Sequence, residues 1–234
     1  MAEALLIAAA LYLAWSVLRA RGWKARIAAL LERHPAAHVY RGWAAGLWIA
    51  LGFPALIGMA LLGRDPFAMP FEFWIDWLPD FVFPVELFAG GMLGATLLNL
   101  AIALRRRHRG SAPARVLDFP LPKPMRMRET PWPALLSLSA GISEELYFRQ
   151  FLPLLIVMVF DSLPLAVLLS AAAFSISHPD NPPRVQLAYV VAGLFFSVLY
   201  LGSGSLWLAI LFHAIIDLNR LVIDPIAFWP RRTT

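Results

Sequence analysis

The sequence predicts an all-α, polytopic transmembrane bundle of about seven spans, and three observations lead there. Sixty per cent of the 234 residues are hydrophobic and 15% are charged, whereas soluble domains carry about a quarter charged residues. The mean hydropathy is +0.67. The apolar residues gather into separate stretches of about 20, the length a helix needs to cross the hydrocarbon of a bilayer. A soluble fold of this size has no need of several such stretches, so lipid is the solvent for the excess.

The candidate spans are 3–20, 43–63, 81–104, 133–160, 163–178, 185–201 and 205–223. The first has no basic run before it and no small-residue cleavage site after it, and Arg19, Arg21, Lys24 and Arg26 follow at once. It therefore reads as a retained anchor with its N-terminus outside, rather than a signal peptide. Residues 22–34, Gly-Trp-Lys-Ala-Arg-Ile-Ala-Ala-Leu-Leu-Glu-Arg-His, form an amphipathic helix suited to the cytoplasmic interface, with Trp23 at headgroup depth.

Lys and Arg accumulate on alternate loops, as an oriented membrane protein requires. The first connection carries Arg19 to Arg41, and the third carries Arg105, Arg106, Arg107, Arg109, Arg115, Lys123, Arg126 and Arg128. The second, from Arg64 to Asp80, is mostly acidic and aromatic. The positive-inside rule puts the C-terminal tail, with Arg231 and Arg232, in the cytoplasm. The expected location is the inner (plasma) membrane of a bacterial cell, with the N-terminus outside and the C-terminus cytoplasmic. The net charge of +5 and the pI near 10.1 follow from this topology, so nucleic acid is not an expected partner.

Four regions follow: a transmembrane region 1–110 with its amphipathic helix, a basic Pro-rich cytoplasmic linker 111–132, a core 133–225 and a tail 226–234. Gly90 and Gly94, four apart, offer a face on which another helix can pack closely. Glu86 and Asn99 read as structural. No internal repeat supports an inverted-repeat transporter. The chain has no cysteine, which excludes disulfides, thiolate metal sites and cysteine nucleophiles.

Ionisable groups inside spans are expensive and therefore functional suspects. The fourth span contains Gly141-Ile142-Ser143-Glu144-Glu145-Leu146-Tyr147-Phe148-Arg149, the fifth ends in Phe174-Ser175-Ile176-Ser177-His178, and the seventh holds His213-Ala214-Ile215-Ile216-Asp217. If the fourth and fifth spans turn at Asp161 and Ser162, Glu144 and His178 both lie roughly 25 Å from that turn, near the cytoplasmic leaflet. Glu145 and Arg149, four apart, have ion-pair spacing. Glu144 points about 100° away from Glu145. Apolar surroundings favour the protonated form of a carboxyl group, which suits one that must take a proton from water. His213 and Asp217 are also four apart and share a face, so Asp217 can hold the imidazole in one tautomer or act at the reacting carbonyl.

These groups can activate water and stabilise an oxyanion. The same donors offer a second chemistry, a zinc ion held by Glu144, His178 and His213 with an open position. The sequence leaves the two open, although it lacks His-Glu-x-x-His.

In that order, Glu144-Glu145-x-x-x-Arg149, Phe174-x-x-x-His178 and His213-x-x-x-Asp217 resemble the three-motif pattern of the CAAX-prenyl-protease and bacteriocin-processing family, over about residues 130–223. The resemblance implies an intramembrane endopeptidase with a four-helix protease core. Glu144 and His178 would activate water, Glu145 and Arg149 would support them, and His213 and Asp217 would position the substrate carbonyl and form the oxyanion site. It implies a membrane-protein or lipid-modified peptide substrate cut near its C-terminus, as in CAAX processing, bacteriocin maturation and immunity, or trimming of sorting tails. Many members are labelled metalloproteases. The last motif often ends in Asn, where this chain has Asp217.

Each motif alone has a plainer reading: a helix-stabilising ion pair, a helix end at the interface, a hydrogen-bonded core histidine. Their order and shared depth favour the catalytic one. A serine nucleophile at Ser203 or Ser205 fails because His213, about two turns along the same helix, cannot swing back to it. The competing class is a non-catalytic binding or immunity scaffold, or a small transporter.

Overall fold

In a computed structural model, residues 1–70, 72, 84–109 and 122–229 are described. The second loop's Asp76 and Asp80, the start of the third span, the first half of the basic linker with Arg115, and the tail with Arg231 and Arg232 lie outside the described residues. Among those described there is no strand, and eight helices follow one another. They are α1 (Ala2–Ala20), α2 (Trp23–Arg33), α3 (Ala36–Leu61), α4 (Val85–Arg109), α5 (131–160), α6 (Leu163–Ile176), α7 (Pro183–Ser203) and α8 (Leu206–Phe228).

Five of these, α1, α3, α4, α7 and α8, are long and apolar enough to cross a membrane, so the protein is an all-helical integral membrane protein. Two of the seven predicted spans behave differently. Helix α5 is helical without a break for about 45 Å at the usual rise, but carries three charged side chains. Helix α6 has 14 residues, about 21 Å, less than the roughly 30 Å of hydrocarbon.

Three helices widen to a π-turn, at Trp48–Gly52 in α3, Leu146–Phe151 in α5 and Asn219–Ile223 in α8. Each is followed within two residues by a proline, Pro54, Pro153 and Pro225. A proline inside a helix lacks an N–H and its ring presses on the carbonyl four residues back. Those carbonyls belong to Ala50, Arg149 and Leu221, all within the widened turns, where the longer register makes room. The turn in α5 begins directly after Glu145 and includes Arg149.

The chain forms two compact units, each assembled from separated segments. The first comprises Met1–Trp23, Gly46–Phe83 and Gly141–Leu211. Its core is apolar and aromatic, with Leu146, Phe148, Leu154, Ala166, Phe174, Phe196 and Leu199 all buried. Close approach is required at two glycines. A Cβ on Gly58 would run into the Phe151 ring, and one on Gly193 would sit 3.0 Å from the Ala171 Cα. Buried polar atoms are paired across helices: the Tyr147 hydroxyl donates to the Ala9 carbonyl (3.1 Å), and Gln150 donates to Ala68 (2.6 Å) while accepting from the Tyr200 hydroxyl.

The second unit comprises Lys24–Ala45, Pro84–Ala140 and Phe212–Thr234. Asn99 of α4 donates to Asn219 (3.1 Å) and Asp224 (2.8 Å), and Asn219 donates to Thr96 (2.9 Å). The Asn99 expected to be structural therefore joins two membrane-length helices. At the basic end, the Trp229 indole donates to the Pro124 carbonyl (2.8 Å), and Arg107 lies over the Trp229 ring (5.7 Å). Around Gly90, Gly91 and Gly94 no described atom lies within 4 Å of a built Cβ.

Candidate active site

The six predicted site residues form three pairs. On α5, Arg149 Nε lies 3.1 Å from Glu145 Oε2, with both side chains fully buried. The guanidinium also rests on the rings of Phe174 (4.5 Å) and Phe196 (5.4 Å). Two charges withdrawn from water together offset much of each other's desolvation, and the aromatic faces add attraction for the cation. One turn of α5 is thereby bolted to α6 and α7. Ser170 of α6 adds a hydrogen bond to the Phe148 carbonyl inside the widened turn.

The second pair joins α5 to the end of α6. His178 Nε2 lies 4.0 Å from Glu144 Oε2, and the two side chains are 24% and 8% exposed. His178 stands just beyond the last turn of α6, at a bend in the chain. Its Nδ1 faces the Phe174 carbonyl at 2.8 Å and Ser177 Oγ at 3.2 Å. A carbonyl only accepts, and Ser177 already donates to that carbonyl (2.7 Å). Both neighbours of Nδ1 thus present lone pairs, so Nδ1 carries the proton and Nε2 is the basic nitrogen that faces Glu144.

Four further contacts hold the His178 loop. The Asn181 and Gln186 amides both donate to the His178 carbonyl (2.9 and 2.8 Å). Beyond it, the Gly22 N–H donates to Asp180 Oδ2 (2.6 Å), and the Trp23 indole donates to the Pro179 carbonyl (3.2 Å). Asp180 and Gly22 both take left-handed backbone conformations, φ 65° and 70°. The Trp23 expected at headgroup depth is therefore a tie between the first connection and the loop after α6.

The third pair lies on α8, where His213 Nε2 is 3.8 Å from Asp217 Oδ2; the histidine is buried and the carboxylate partly exposed. The zinc alternative needs three protein donors at one point. Glu144 and His178 supply two such donors within one unit, and among the described residues no group of three or more His, Cys, Asp or Glu side chains is gathered in that way.

Sequence reasoning missed Tyr189, Gln186 and Phe196, which touch these pairs. Only Gln186, a polar group within an apolar stretch, offered a signal. The fold and the pairs define a polytopic helical membrane protein with paired carboxylate and imidazole groups. Residues 127–219 match the family model described as Rce1-like, type II CAAX prenyl endopeptidase Rce1-like. That stretch carries all three motifs, consistent with the CAAX-protease and bacteriocin-processing resemblance, and the match supports a membrane-embedded endopeptidase of CAAX type. No curated protein and no solved structure matches the chain.

Proposed function

We propose that the protein hydrolyses a peptide bond near a membrane-associated C-terminus, using a water activated by Glu144 and His178, within a protease core of residues 133–225. The observation that carries this reading is the 4.0 Å between Glu144 Oε2 and the basic nitrogen of His178. That separation is too long for a direct hydrogen bond, but it suits one water oxygen about 2.8 Å from each acceptor, which donates one hydrogen to each at an angle of about 90°. Two acceptors then draw on the same water.

Glu144 takes a proton as the water oxygen attacks the carbonyl carbon, and His178 holds the second hydrogen and with it the direction of the lone pair. The tetrahedral oxyanion collapses, the C–N bond breaks, and the proton on Glu144 passes to the leaving nitrogen. Glu145 and Arg149 fix the helix turn that carries Glu144. His213 and Asp217 take the carbonyl-polarising role implied by the resemblance. Asp217 donates to an oxyanion only when protonated, and otherwise acts by orienting His213. Zinc remains the alternative activator, and activity that tracks bound zinc one to one would transfer the central role to it. The substrate is a lipid-modified or membrane-embedded chain, with bacteriocin and sorting-tail processing in the same reaction class. The N-terminus is outside and the C-terminus cytoplasmic.

The test uses purified protein in lipid vesicles and a farnesylated CAAX-ended peptide carrying a fluorophore and quencher on either side of the scissile bond. Glu144→Gln keeps the shape and removes the base, so cleavage falls by roughly 100- to 10,000-fold while the helical signal and melting are retained. Cleavage at the wild-type rate by Glu144→Gln would overturn the reading and favour a binding scaffold.

A further inference from the structure

His178 stands beyond the last turn of α6, so the plane of its ring depends on contacts from other elements as well as on the Phe174 carbonyl. We infer that Tyr189, on α7, is the positioning residue that fixes the imidazole plane so that Nε2 meets Glu144; this rests on the catalytic reading above. The two hydrogen-bond acceptors at Nδ1 pin one corner of the ring, but a ring pinned at one corner still swings about that contact. Tyr189 removes the swing. Its ring lies parallel to the imidazole, with centroids 4.0 Å apart and planes 17° apart. Phe174 closes a second side edge-on at 4.9 Å and 65°, and itself meets Tyr189 edge-on at 6.0 Å.

Helix α7 grips His178 twice from one face. Gln186 and Tyr189 are three apart, so their side chains stand one above the other on the helix. Gln186 holds the His178 carbonyl at 2.8 Å and is itself anchored by Ser175 Oγ, which lies 2.6 Å from its side-chain oxygen. The backbone of His178 is thus set by Gln186 and its ring by Tyr189. An aromatic at helical spacing is usually mere packing, but the aromatic neighbours of Phe174 meet it edge-on, whereas Tyr189 lies flat on the imidazole. A displacement of a reacting group by about 1 Å can lower a rate on the order of 100-fold. Swinging the ring would displace Nε2 while leaving the substrate-binding surface intact.

The experiment compares Tyr189→Leu and Tyr189→Phe in vesicles with the farnesylated fluorogenic peptide, alongside nitrogen NMR of protein labelled with 15N-histidine, in which His178→Ala assigns the His178 signals. The expected result is a roughly 10- to 100-fold loss of kcat in Tyr189→Leu with KM unchanged, and recovery of most of the rate in Tyr189→Phe. In the spectrum, the Nε2 signal, set by what that nitrogen faces, shifts in Tyr189→Leu and keeps its wild-type position in Tyr189→Phe, while the Nδ1–H signal is retained in both. A Leu variant with wild-type kcat and an unaltered Nε2 signal overturns the inference, as does a Phe variant as impaired as the Leu variant. If Tyr189→Leu fails to fold, Tyr189→Met, closer in volume and equally without a ring to stack, replaces it. If the catalytic reading itself fails, so that wild-type protein leaves the peptide intact or Glu144→Gln cleaves it, the Nε2 signal alone still decides whether Tyr189 positions the ring.

Discussion

Helices α4 and α5 are both longer than a bilayer crossing needs, and they place their polar groups in opposite ways. Helix α4 turns Leu87, Leu93, Leu97 and Leu98 outward, and apart from Glu86 in its first turn its charges collect at the basic end from Arg105 to Arg109. Helix α5 carries Glu144, Glu145 and Arg149 near its middle, and every residue from Leu146 to Phe151 is buried. In water the apolar helix would be the hidden one. In lipid, apolar residues need no shelter and charges do, so burial follows polarity and marks the helix that carries the chemistry.

The largest effect that would break this comparison is expected at Arg149. Its replacement by Leu leaves Glu145 as a buried charge without its cation, with a loss of about 3–5 kcal/mol. Reversible unfolding in mixed micelles measures it, and adding Glu145→Gln should recover much of the loss. A neutral result for the single variant would show that the pair is solvated. A smaller effect is expected at Gly58, where Ala must push the Phe151 ring aside, at about 1–3 kcal/mol by the same measurement. The smallest belongs to α4. Gly90→Ala and Gly94→Ala meet no described atom within 4 Å, so each should be neutral or stabilising by up to about 1 kcal/mol. A clear destabilisation there would mean that α4 has a close partner.

The residues themselves explain which features were legible in advance. Glu144, Arg149, His178 and His213 stood out because an ionisable group in an apolar stretch has few inexpensive explanations, and Glu145 with Arg149 could be paired from helical spacing alone. The facing of Glu144 and His178 was approached through their equal distance from the turn at Asp161, because two antiparallel helices share one ruler. No such ruler reaches Tyr189, whose approach to His178 depends on where the loop 177–182 lets α7 begin. The contact of Asn99 with Asn219 and Asp224 joins positions more than a hundred residues apart, and no local period encodes it. The three widened turns were within reach, since Pro54, Pro153 and Pro225 each fall inside a helical stretch.

Gly22 and Trp23, between the first helix and the start of the second, precede the family-matched stretch by about a hundred residues, yet they hold the backbone that follows His178. A fragment trimmed to the motif-bearing portion would keep all six candidate side chains and lose both of these moorings. The connection that follows the leading helix is thus part of the frame on which the histidine hangs.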